Sequence, residues 1–400
     1  MKATPLQIIC VAQPSWSGTY AKSTVLLMKE LAKSNHVLYV DYAYTWKDVW
    51  MSWLGRQTTP VKKMFGIISR LEKVDATDYS SLSVLTLPPM MPVNFLPAGW
   101  LYQLVNSVNG KFAQRAINSA MKKLHFKKPV VVNAFSPGLG HALLGKLNES
   151  LTVYYNYDDI NSAAWAGKHG GRMERQFAPK ADMIIVSSDQ LCEERKHLNA
   201  NIHVVKNGVD IGLFERSNPF TRTVPSGKPV AGFVGSLDSR IDYKLLNETI
   251  KKLPHYEFVF VGRVVSADFE ILKEHKNVTW ISPVAYECLP DIIQTFDVGL
   301  IPFIKSSFTE KIYPLKINEY LAMGKPVVMT SFATFPEFTN LVNTADDAES
   351  FSKAIIVASA SSDQATILTR KKMARQNSWH VKANEFTQLI STRLHEKILS

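Results

Sequence analysis

The chain has 400 residues, 46% of them apolar and 20% charged, a composition that excludes disordered, collagen-like and coiled-coil proteins. No apolar run approaches the roughly 18 residues of a membrane-spanning helix, and at about 150 residues per domain the length predicts about two domains. The 46 Lys and Arg against 35 Asp and Glu give a net charge of +11. That charge attracts nucleic acid, an anionic membrane or phosphorylated ligands without choosing among them.

The cysteines and the first residues bear on the compartment. Cys10, Cys192 and Cys288 lie far apart and show no Cys-x-x-Cys spacing, which disfavours both a disulfide framework and a zinc site. The start of the chain has no long apolar segment followed by a small-residue cleavage site, so we expect no export signal. The sequence therefore predicts a cytoplasmic protein.

Short apolar runs alternate with helix-length segments in both halves of the chain. In the first half the runs are residues 6–12, 36–40, 83–87, 130–133, 151–155, 182–186 and 202–205. In the second half they are residues 230–234, 257–261, 277–281, 298–302 and 326–329, followed by helical stretches at 345–359, 365–376 and 379–398. This alternation is typical of parallel sheets covered by helices. We expect an α/β protein with two doubly wound, Rossmann-like domains, 1–206 and 207–378, joined by the turn-rich stretch 206–230 and followed by a terminal helix, 379–400.

Several well-known active-site motifs are missing or incomplete. No Gly-x-Gly-x-x-Gly follows the first run, which argues against a dinucleotide on that turn. Residues 140–146 have the spacing of a phosphate-binding P-loop, but Leu147 replaces the required Ser or Thr. His-Glu-x-x-His and Gly-x-Ser-x-Gly are absent, so zinc and serine hydrolases are disfavoured as well.

A ligand site is predicted where the apolar runs of the second half end. After residues 230–234, Gly235 and Ser236 form a turn that leads towards a helix, where backbone N–H groups can approach a diphosphate and Arg240 can add charge. Arg263 follows the next run and Val284 the one after, at the same expected sheet edge, where they could reach phosphate and a nucleobase. The alternative is an ordinary strand–helix turn with solvated cations.

Residues 313–328 read Tyr-Pro-Leu-Lys-Ile-Asn-Glu-Tyr-Leu-Ala-Met-Gly-Lys-Pro-Val-Val. In order and spacing this stretch resembles the signature of the donor-nucleotide domain of GT-B glycosyltransferases. The likeness is greatest to glycosyltransferase family 4 and related bacterial exopolysaccharide and teichuronic-acid-type enzymes, and it extends over residues 229–328 and, less closely, 151–210. It implies a GT-B fold in which an N-terminal acceptor-binding domain faces a C-terminal nucleotide-sugar-binding domain across a cleft and the terminal helix packs on the N-terminal domain.

The resemblance also implies roles for single residues of the second half. Glu319 would accept hydrogen bonds from the ribose hydroxyls of the donor, and Lys316 would pair with its diphosphate. Lys316 and Glu319, three residues apart, share one helix face, which suits such a site; the alternative is an exposed ion pair. Many family 4 members carry a second glutamate eight residues earlier, where this chain has Lys311. Lys311 would suit an anionic sugar such as a uronic acid.

In the first half, Asp158 and Asp159 follow the run 151–155. The resemblance implies that one of them opens towards the cleft, and we expect Asp158 to be the catalytic base that deprotonates the acceptor hydroxyl. The alternative is a helix-capping aspartate, and a retaining enzyme would need no protein base at all. Asp159 and Asn133 are further candidates for contact with the acceptor.

Two aromatic patches in the first half carry basic flanks. Trp46, Trp50 and Trp53 lie at helical spacing, and a second apolar group at residues 90–102 precedes a helix rich in Lys and Arg. Interfacial binding to anionic lipid needs this combination of aromatic residues and cations. Such binding would place the protein on the inner face of the plasma membrane. The alternative is that the aromatic residues belong to the core.

The sequence as a whole predicts a glycosyltransferase that moves a sugar from a nucleotide-sugar, with UDP-sugars favoured, to a saccharide or lipid-linked acceptor in cell-surface polysaccharide biosynthesis. We expect no metal or other cofactor, because no Asp-x-Asp motif is present and Arg and Lys can neutralise the diphosphate. We expect no nucleic-acid partner either. The alternatives are a non-catalytic GT-B partner subunit, which Lys311 would favour, and a GT-B-like nucleotide-sugar epimerase.

Overall fold

The structure, a computed structural model, describes residues 5–18, 22–74, 81–162, 166–167, 169–216, 227–361 and 363–399. The chain divides into two compact units. Unit 1 contains the described residues up to Lys206 together with those from Ala383 onwards, and unit 2 contains the described residues of Asn207–Lys382. No helix within the described ranges is both long enough and apolar enough to span a membrane.

Unit 1 is built on an eight-stranded sheet whose order is β3-β4-β2-β1-β5-β6-β7-β8. Its strands are β1 (Gln7–Ala12), β2 (His36–Val40), β3 (Leu71–Lys73), β4 (Ser81–Leu85), β5 (Val130–Ala134), β6 (Leu151–Asn156), β7 (Met183–Val186) and β8 (Ile202–Val204). All neighbours pair in parallel except β3, which runs antiparallel to β4. Every residue of β5 and β6 is buried, as expected for strands covered on both faces.

The helices of unit 1 connect these strands. They are α1 (Ser23–Leu31), α2 (Trp46–Trp53), α3 (Val61–Met64), α4 (Trp100–Leu124), α5 (Pro137–Leu143), α6 (Gly170–Phe177) and α7 (Asp189–Arg195). The last helix of the chain, which we number α15 (Trp379–Leu399), belongs to unit 1 from Ala383 onwards. Its Phe386 ring lies 5.8 Å from the Tyr155 ring, and Arg393 Nε donates to the Asp182 carbonyl at 3.1 Å.

Unit 2 is built on a six-stranded parallel sheet whose order is β11-β10-β9-β12-β13-β14. Its strands are β9 (Val230–Val234), β10 (Glu257–Val261), β11 (Val278–Ile281), β12 (Val298–Ile301), β13 (Val327–Met329) and β14 (Val342–Thr344). Its helices are α8 (Ile211–Phe214), α9 (Tyr243–Lys252), α10 (Glu270–Lys273), α11 (Leu289–Ile293), α12 (Leu315–Ala322), α13 (Ala348–Ala360) and α14 (Gln364–Gln376). One continuous apolar core lies between the sheet and these helices.

The predicted doubly wound sheets are confirmed, with local differences. Strands β3 and β14 were not predicted, because each is short, mostly exposed and without an apolar run. The helix expected after the Gly235 turn begins at Tyr243, where the Asp242 side chain accepts a hydrogen bond from Leu245 N at 2.9 Å. The helix expected directly after Asp159 begins at Gly170. In both places a loop, not a helix terminus, follows the strand.

Candidate functional site

The strand order of unit 2 places a crevice at one edge of its sheet. The chain leaves β9 towards β10 on one side, and later returns to β12 on the other side. In doubly wound sheets the loops that follow two such strands separate, and ligands bind between them at the carboxyl ends. The segments that follow β9 and β12, the second of which includes α12, contain six of the eight residues that the sequence singled out in this half.

Two glycines bring the strand-end loops of unit 2 into close contact. Gly262 has φ +144°, and a Cβ there would lie 2.0 Å from the Gly235 carbonyl oxygen. Gly235 has φ +153°, and its Cβ would lie 2.9 Å from Phe233 Cζ and 3.7 Å from Lys316 Cε. A side chain at either position would push these loops apart. Gly235 therefore presents bare backbone beside Lys316.

Helix α12 is fixed to the end of β9 by Tyr320. The hydroxyl of this fully buried side chain accepts a hydrogen bond from Val234 N at 3.0 Å. Its ring lies against Gly299 of β12, where a Cβ would come within 2.4 Å of Tyr320 Cδ2. Because the buried face of α12 is anchored in this way, its first turn is held at the carboxyl end of the sheet.

Glu319 lies on the same helix and is 1% exposed. Its Oε2 lies 3.5 Å from Lys316 Nζ, and within the described part of the chain neither carboxylate oxygen has a hydrogen-bond partner. Burying a carboxylate without hydrogen bonds is costly, and native proteins avoid it unless a ligand or water completes the site. The alternative prediction of an exposed surface ion pair is wrong for this residue, because Glu319 is buried.

Three further buried polar groups lie near this carboxylate or its helix, and no sequence pattern identifies them. The side-chain oxygens of Asn318, Asn207 and Tyr286 lack hydrogen-bond partners among the described residues. Asn318 Nδ2 donates to the Asn207 carbonyl at 3.3 Å, and Asn207 Nδ2 donates to the Tyr313 carbonyl at 3.0 Å. Burial raises the pKa of Tyr286, and the nearby Glu319 carboxylate raises it further. These groups add unused acceptors and one hydroxyl donor to the site.

The remaining donor-site candidates differ in how they are held. Arg240 forms a bidentate pair with Asp238, with Nε–Oδ1 at 2.9 Å and Nη2–Oδ2 at 2.7 Å, so its guanidinium is already partly used. Arg263 is exposed, Ser236 and Val284 are half-buried, and Lys311 is 9% exposed at the end of a short 3₁₀ turn. All five follow β9, β10, β11 or β12 at the carboxyl edge of the sheet.

The carboxyl edge of the unit 1 sheet contains a buried ionic network. Glu174 Oε1 accepts from Asn156 Nδ2 at 2.6 Å, Tyr154 Oη at 2.9 Å and Arg195 Nε at 3.1 Å. Arg195 Nη2 also pairs with Asp159 Oδ1 at 3.3 Å. Glu174, Arg195 and Asp159 are each less than 5% exposed, so these charges compensate one another inside the unit.

The three candidates of the first half fall into two groups. The Asp159 carboxylate accepts from Asn161 N at 3.1 Å and Ser162 Oγ at 2.9 Å besides its pair with Arg195. Asn133 is 1% exposed and both donates to and accepts from the backbone of Ser136. Because their polar atoms are used inside the unit, we do not include these two residues in the proposed site.

Asp158 is the most exposed of the three candidates at this edge. It is half-buried, and the hydrogen bond it accepts from Asp159 N at 2.8 Å involves Oδ1. Beside it, the Tyr157 ring lies 4.6 Å from the ring of Phe135, a buried residue held at φ +61°. A bulky side chain in that conformation stores strain, which is concentrated at functional sites. Phe135 was not predicted, since a positive φ leaves no sequence signal outside glycine and asparagine.

Comparison with known proteins supports the resemblance noted in the sequence. Residues 228–360 match the family model described as Glycosyl transferases group 1. The chain is 31% identical over 216 residues to TuaH of Bacillus subtilis (strain 168), a protein assigned by inference to teichuronic acid biosynthesis as a glycosyltransferase. That match covers 48% of this chain and 53% of TuaH. The chain therefore spans about half the length of the curated relative it matches.

Solved structures are similar over nearly the whole chain. A sucrose-phosphate synthase from Thermosynechococcus elongatus has a TM-score of 0.67 at 16% identity, covering 97% of this chain and 99% of its own. A second structure, described as trehalose-6-phosphate from Escherichia coli bound with UDP-2-fluoro glucose, has a TM-score of 0.65 at 11% identity. The match covers 97% of this chain and 98% of that one. At these identities the likeness shows the fold, and the predicted GT-B fold is confirmed.

Proposed function

We propose that this protein is a glycosyltransferase that moves a sugar from a nucleotide-sugar, with UDP-sugars the favoured class, to a saccharide or lipid-linked saccharide in cell-surface polysaccharide biosynthesis. The observation that carries the proposal is Glu319, a buried carboxylate without hydrogen-bond partners in the described structure, placed beside Lys316. The family match over residues 228–360 includes both residues. The likeness to TuaH supports teichuronic-acid-type chemistry.

The donor would bind at the carboxyl edge of unit 2. A carboxylate can accept hydrogen bonds from two neighbouring hydroxyls at once, so Glu319 suits the vicinal hydroxyls of a ribose. Lys316 lies on the same helix face and next to the bare backbone at Gly235, where a diphosphate could meet both a cation and N–H groups. Arg263 is the further cation proposed for the phosphates.

The acceptor would be activated from unit 1. A carboxylate within hydrogen-bond reach of the acceptor hydroxyl can take its proton as the glycosidic bond forms. We assign this role to Asp158 for an inverting reaction, in which the acceptor oxygen attacks the anomeric carbon and the nucleoside diphosphate leaves. Lysine and arginine side chains would stabilise the charge that develops on the leaving diphosphate, so we propose that no metal is required.

Calorimetric titration with UDP, GDP and ADP in metal-free buffer tests the donor site. We expect one nucleotide to bind the wild type, and Glu319→Gln to weaken its binding by about 10- to 100-fold, because glutamine keeps one acceptor oxygen and one hydrogen bond to a charged group is lost at about 1.5–3 kcal/mol. Glu270→Gln is the matched control, because Glu270 and Lys273 form an i,i+3 pair in the same unit but on the surface, with 65% and 39% of their side chains exposed.

The outcomes separate the proposal from its alternatives. If no nucleotide binds, the donor-site assignment fails and a non-catalytic subunit becomes the better reading. If a nucleotide binds and the donor sugar is consumed without any acceptor, an epimerase replaces the transferase. If Glu270→Gln and Glu319→Gln weaken nucleotide binding equally, Glu319 does not belong to the donor site.

A further inference from the structure

Seven large apolar side chains of unit 1 are exposed within one short segment. We call the surface formed by residues 46–68 the aromatic face. Its exposed apolar side chains are Trp46, Trp50, Trp53, Leu54, Phe65, Ile67 and Ile68. Trp53 is 77% exposed and Ile67 71%, and α2 contains no buried residue at all. Single exposed apolar residues are normal, but a contiguous group of this size marks an interaction surface.

The segment is ordered by polar contacts while its apolar side chains point outwards. Thr45 and Asp48 form a capping box at the start of α2, and Gln57 Nε2 donates to Asp48 Oδ1 at 3.0 Å. Arg70 Nη2 donates to the Met64 carbonyl at 2.9 Å, which closes the end of the segment. The Trp46 and Phe65 rings lie 5.6 Å apart. The face is therefore a folded surface and not a loose loop.

A second exposed apolar segment adjoins the aromatic face. Trp46 N donates to the Met90 carbonyl at 3.0 Å, which joins the start of α2 to the stretch before α4. Along that stretch Met91, Phe95 and Trp100 are exposed at 41%, 71% and 74%. Of the other apolar residues of the predicted second patch, Met90, Leu96 and Tyr102 are buried. The two patches that the sequence suggested are thus neighbours on one side of unit 1, and the alternative that these tryptophans are core residues is wrong.

The charge of the chain is concentrated in the same half. Residues 1–206 contain 24 Lys and Arg against 14 Asp and Glu, whereas residues 207–400 contain 22 against 21. Residues 79–148 contain seven Lys and Arg and no acidic residue. Within the aromatic face the single acid, Asp48, is occupied by the capping box and Gln57. Exposed Lys47, Arg56 and Lys62 surround the tryptophans.

We propose that the aromatic face and the adjoining residues 91–104 dock unit 1 onto an anionic lipid bilayer. Tryptophan rings prefer the boundary between headgroups and acyl chains, and a partly inserted apolar face flanked by cations binds anionic membranes through both terms. A protein partner or a second copy of the chain would bury the same apolar area but gives no reason for the excess of positive charge in unit 1. This inference does not depend on the proposed function.

Co-sedimentation of the full chain with lipid vesicles tests this surface. We expect binding to phosphatidylcholine vesicles that contain phosphatidylglycerol, little binding to pure phosphatidylcholine, and weakening as salt shortens the Debye length. Trp50→Ser/Trp53→Ser should lower the partition coefficient about tenfold or more, since the anchoring apolar area is removed. Lys47→Gln/Arg56→Gln/Lys62→Gln should lower it by a similar factor on anionic vesicles only.

Matched controls come from unit 2. Val357→Ser/Leu368→Ser removes two apolar side chains that are 64% and 53% exposed, and Lys251→Gln/Lys276→Gln/Lys372→Gln removes three exposed positive charges. We expect both controls to bind vesicles like the wild type. Nucleotide titration of every variant checks folding, and it also keeps the two proposals separate, since a failed donor site leaves the vesicle result unchanged.

Three results would overturn the proposal. The first is no preference of the wild type for anionic vesicles. The second is an equal loss of binding in the unit 2 controls. The third is a wild type that ignores vesicles but sediments as a dimer, with Trp50→Ser/Trp53→Ser sedimenting as a monomer, which would assign the face to a second copy of the chain.

Discussion

Two buried glutamates, one in each unit, differ in whether their carboxylate oxygens accept hydrogen bonds from the protein. Glu174 of unit 1 is 4% exposed and its Oε1 accepts three hydrogen bonds, one of them from Arg195. Glu319 of unit 2 is 1% exposed, its Oε2 lies 3.5 Å from Lys316 Nζ, and neither of its carboxylate oxygens has a hydrogen-bond partner among the described residues. A satisfied buried carboxylate holds a structure together, whereas one with unused acceptors costs free energy that a ligand can recover. Burial alone therefore does not distinguish a structural acid from a binding acid.

The same contrast separates the two neighbouring aspartates of unit 1. Asp159 is 3% exposed and is committed to Arg195, Asn161 and Ser162, whereas Asp158 is half-buried and accepts a hydrogen bond from the next residue along the chain. The network that fixes Asp159 also fixes the backbone that carries Asp158. A catalytic group needs such support from groups that are not themselves reactive.

The largest expected effect concerns this pair of aspartates. Asp158→Asn should lower kcat by about 10²–10⁴-fold, the range for a lost general base, with a smaller loss of stability than Asp159→Asn, because asparagine keeps the acceptor for Asp159 N. Asp159→Asn should instead lower stability, because Arg195 loses one of its charged partners. Steady-state kinetics and urea unfolding of both variants check this. An unchanged kcat in Asp158→Asn would show that Asp158 is not the catalytic base and would favour a retaining reaction.

The two glutamates provide the next comparison. Glu174→Gln should lower the free energy of unfolding by about 3 kcal/mol, because it leaves the buried Arg195 charge undercompensated. Glu319→Gln should change it by less than about 1 kcal/mol, because no hydrogen bond is broken and a buried charge is removed. Urea unfolding followed by circular dichroism measures both. Similar losses in the two variants would show that Glu319 is a structural residue.

A smaller effect is expected from the glycine contact in unit 2. Gly262→Ala should cost about 1–3 kcal/mol through its φ of +144°, and its Cβ would also displace the Gly235 carbonyl and weaken nucleotide binding. Gly227→Ala is the matched control, because Gly227 has φ +61° but an added Cβ there would meet nothing within 4 Å. Equal effects of the two variants on binding would show that the contact is irrelevant to the site.

The smallest effect is expected from pH. His141 of α5 in unit 1 has a buried Nδ1 without a hydrogen-bond partner in the described structure. Burial lowers the pKa of this side chain, and Lys180 and Lys146 lower it further. Below about pH 6.5 the unfolded chain therefore binds a proton that the folded chain resists, so stability falls as the pH falls. His141→Gln should flatten that slope in thermal unfolding between pH 7.5 and 5.5, and an unchanged slope would contradict this assignment.

The sequence by itself determined the two parallel sheets, the order of their strands along the chain and the stretch 313–328 that carries Lys316 and Glu319. These features depend on local patterns, namely apolar runs, glycine turns and spacing along one helix, which a linear sequence displays directly. Local patterns also suggested the tryptophans at residues 46–53, although they could not tell a core from a surface.

The tertiary structure alone decided which polar groups are satisfied and which aromatic residues are exposed. Glu174 is satisfied by Arg195, 21 residues away, and Asp159 by the same arginine 36 residues away. Helix α2 contributes no buried residue to unit 1, and its Trp46, Trp50 and Trp53 side chains are exposed. Satisfaction and exposure depend on groups brought together from distant parts of the chain, and neither composition nor spacing records which distant groups will meet.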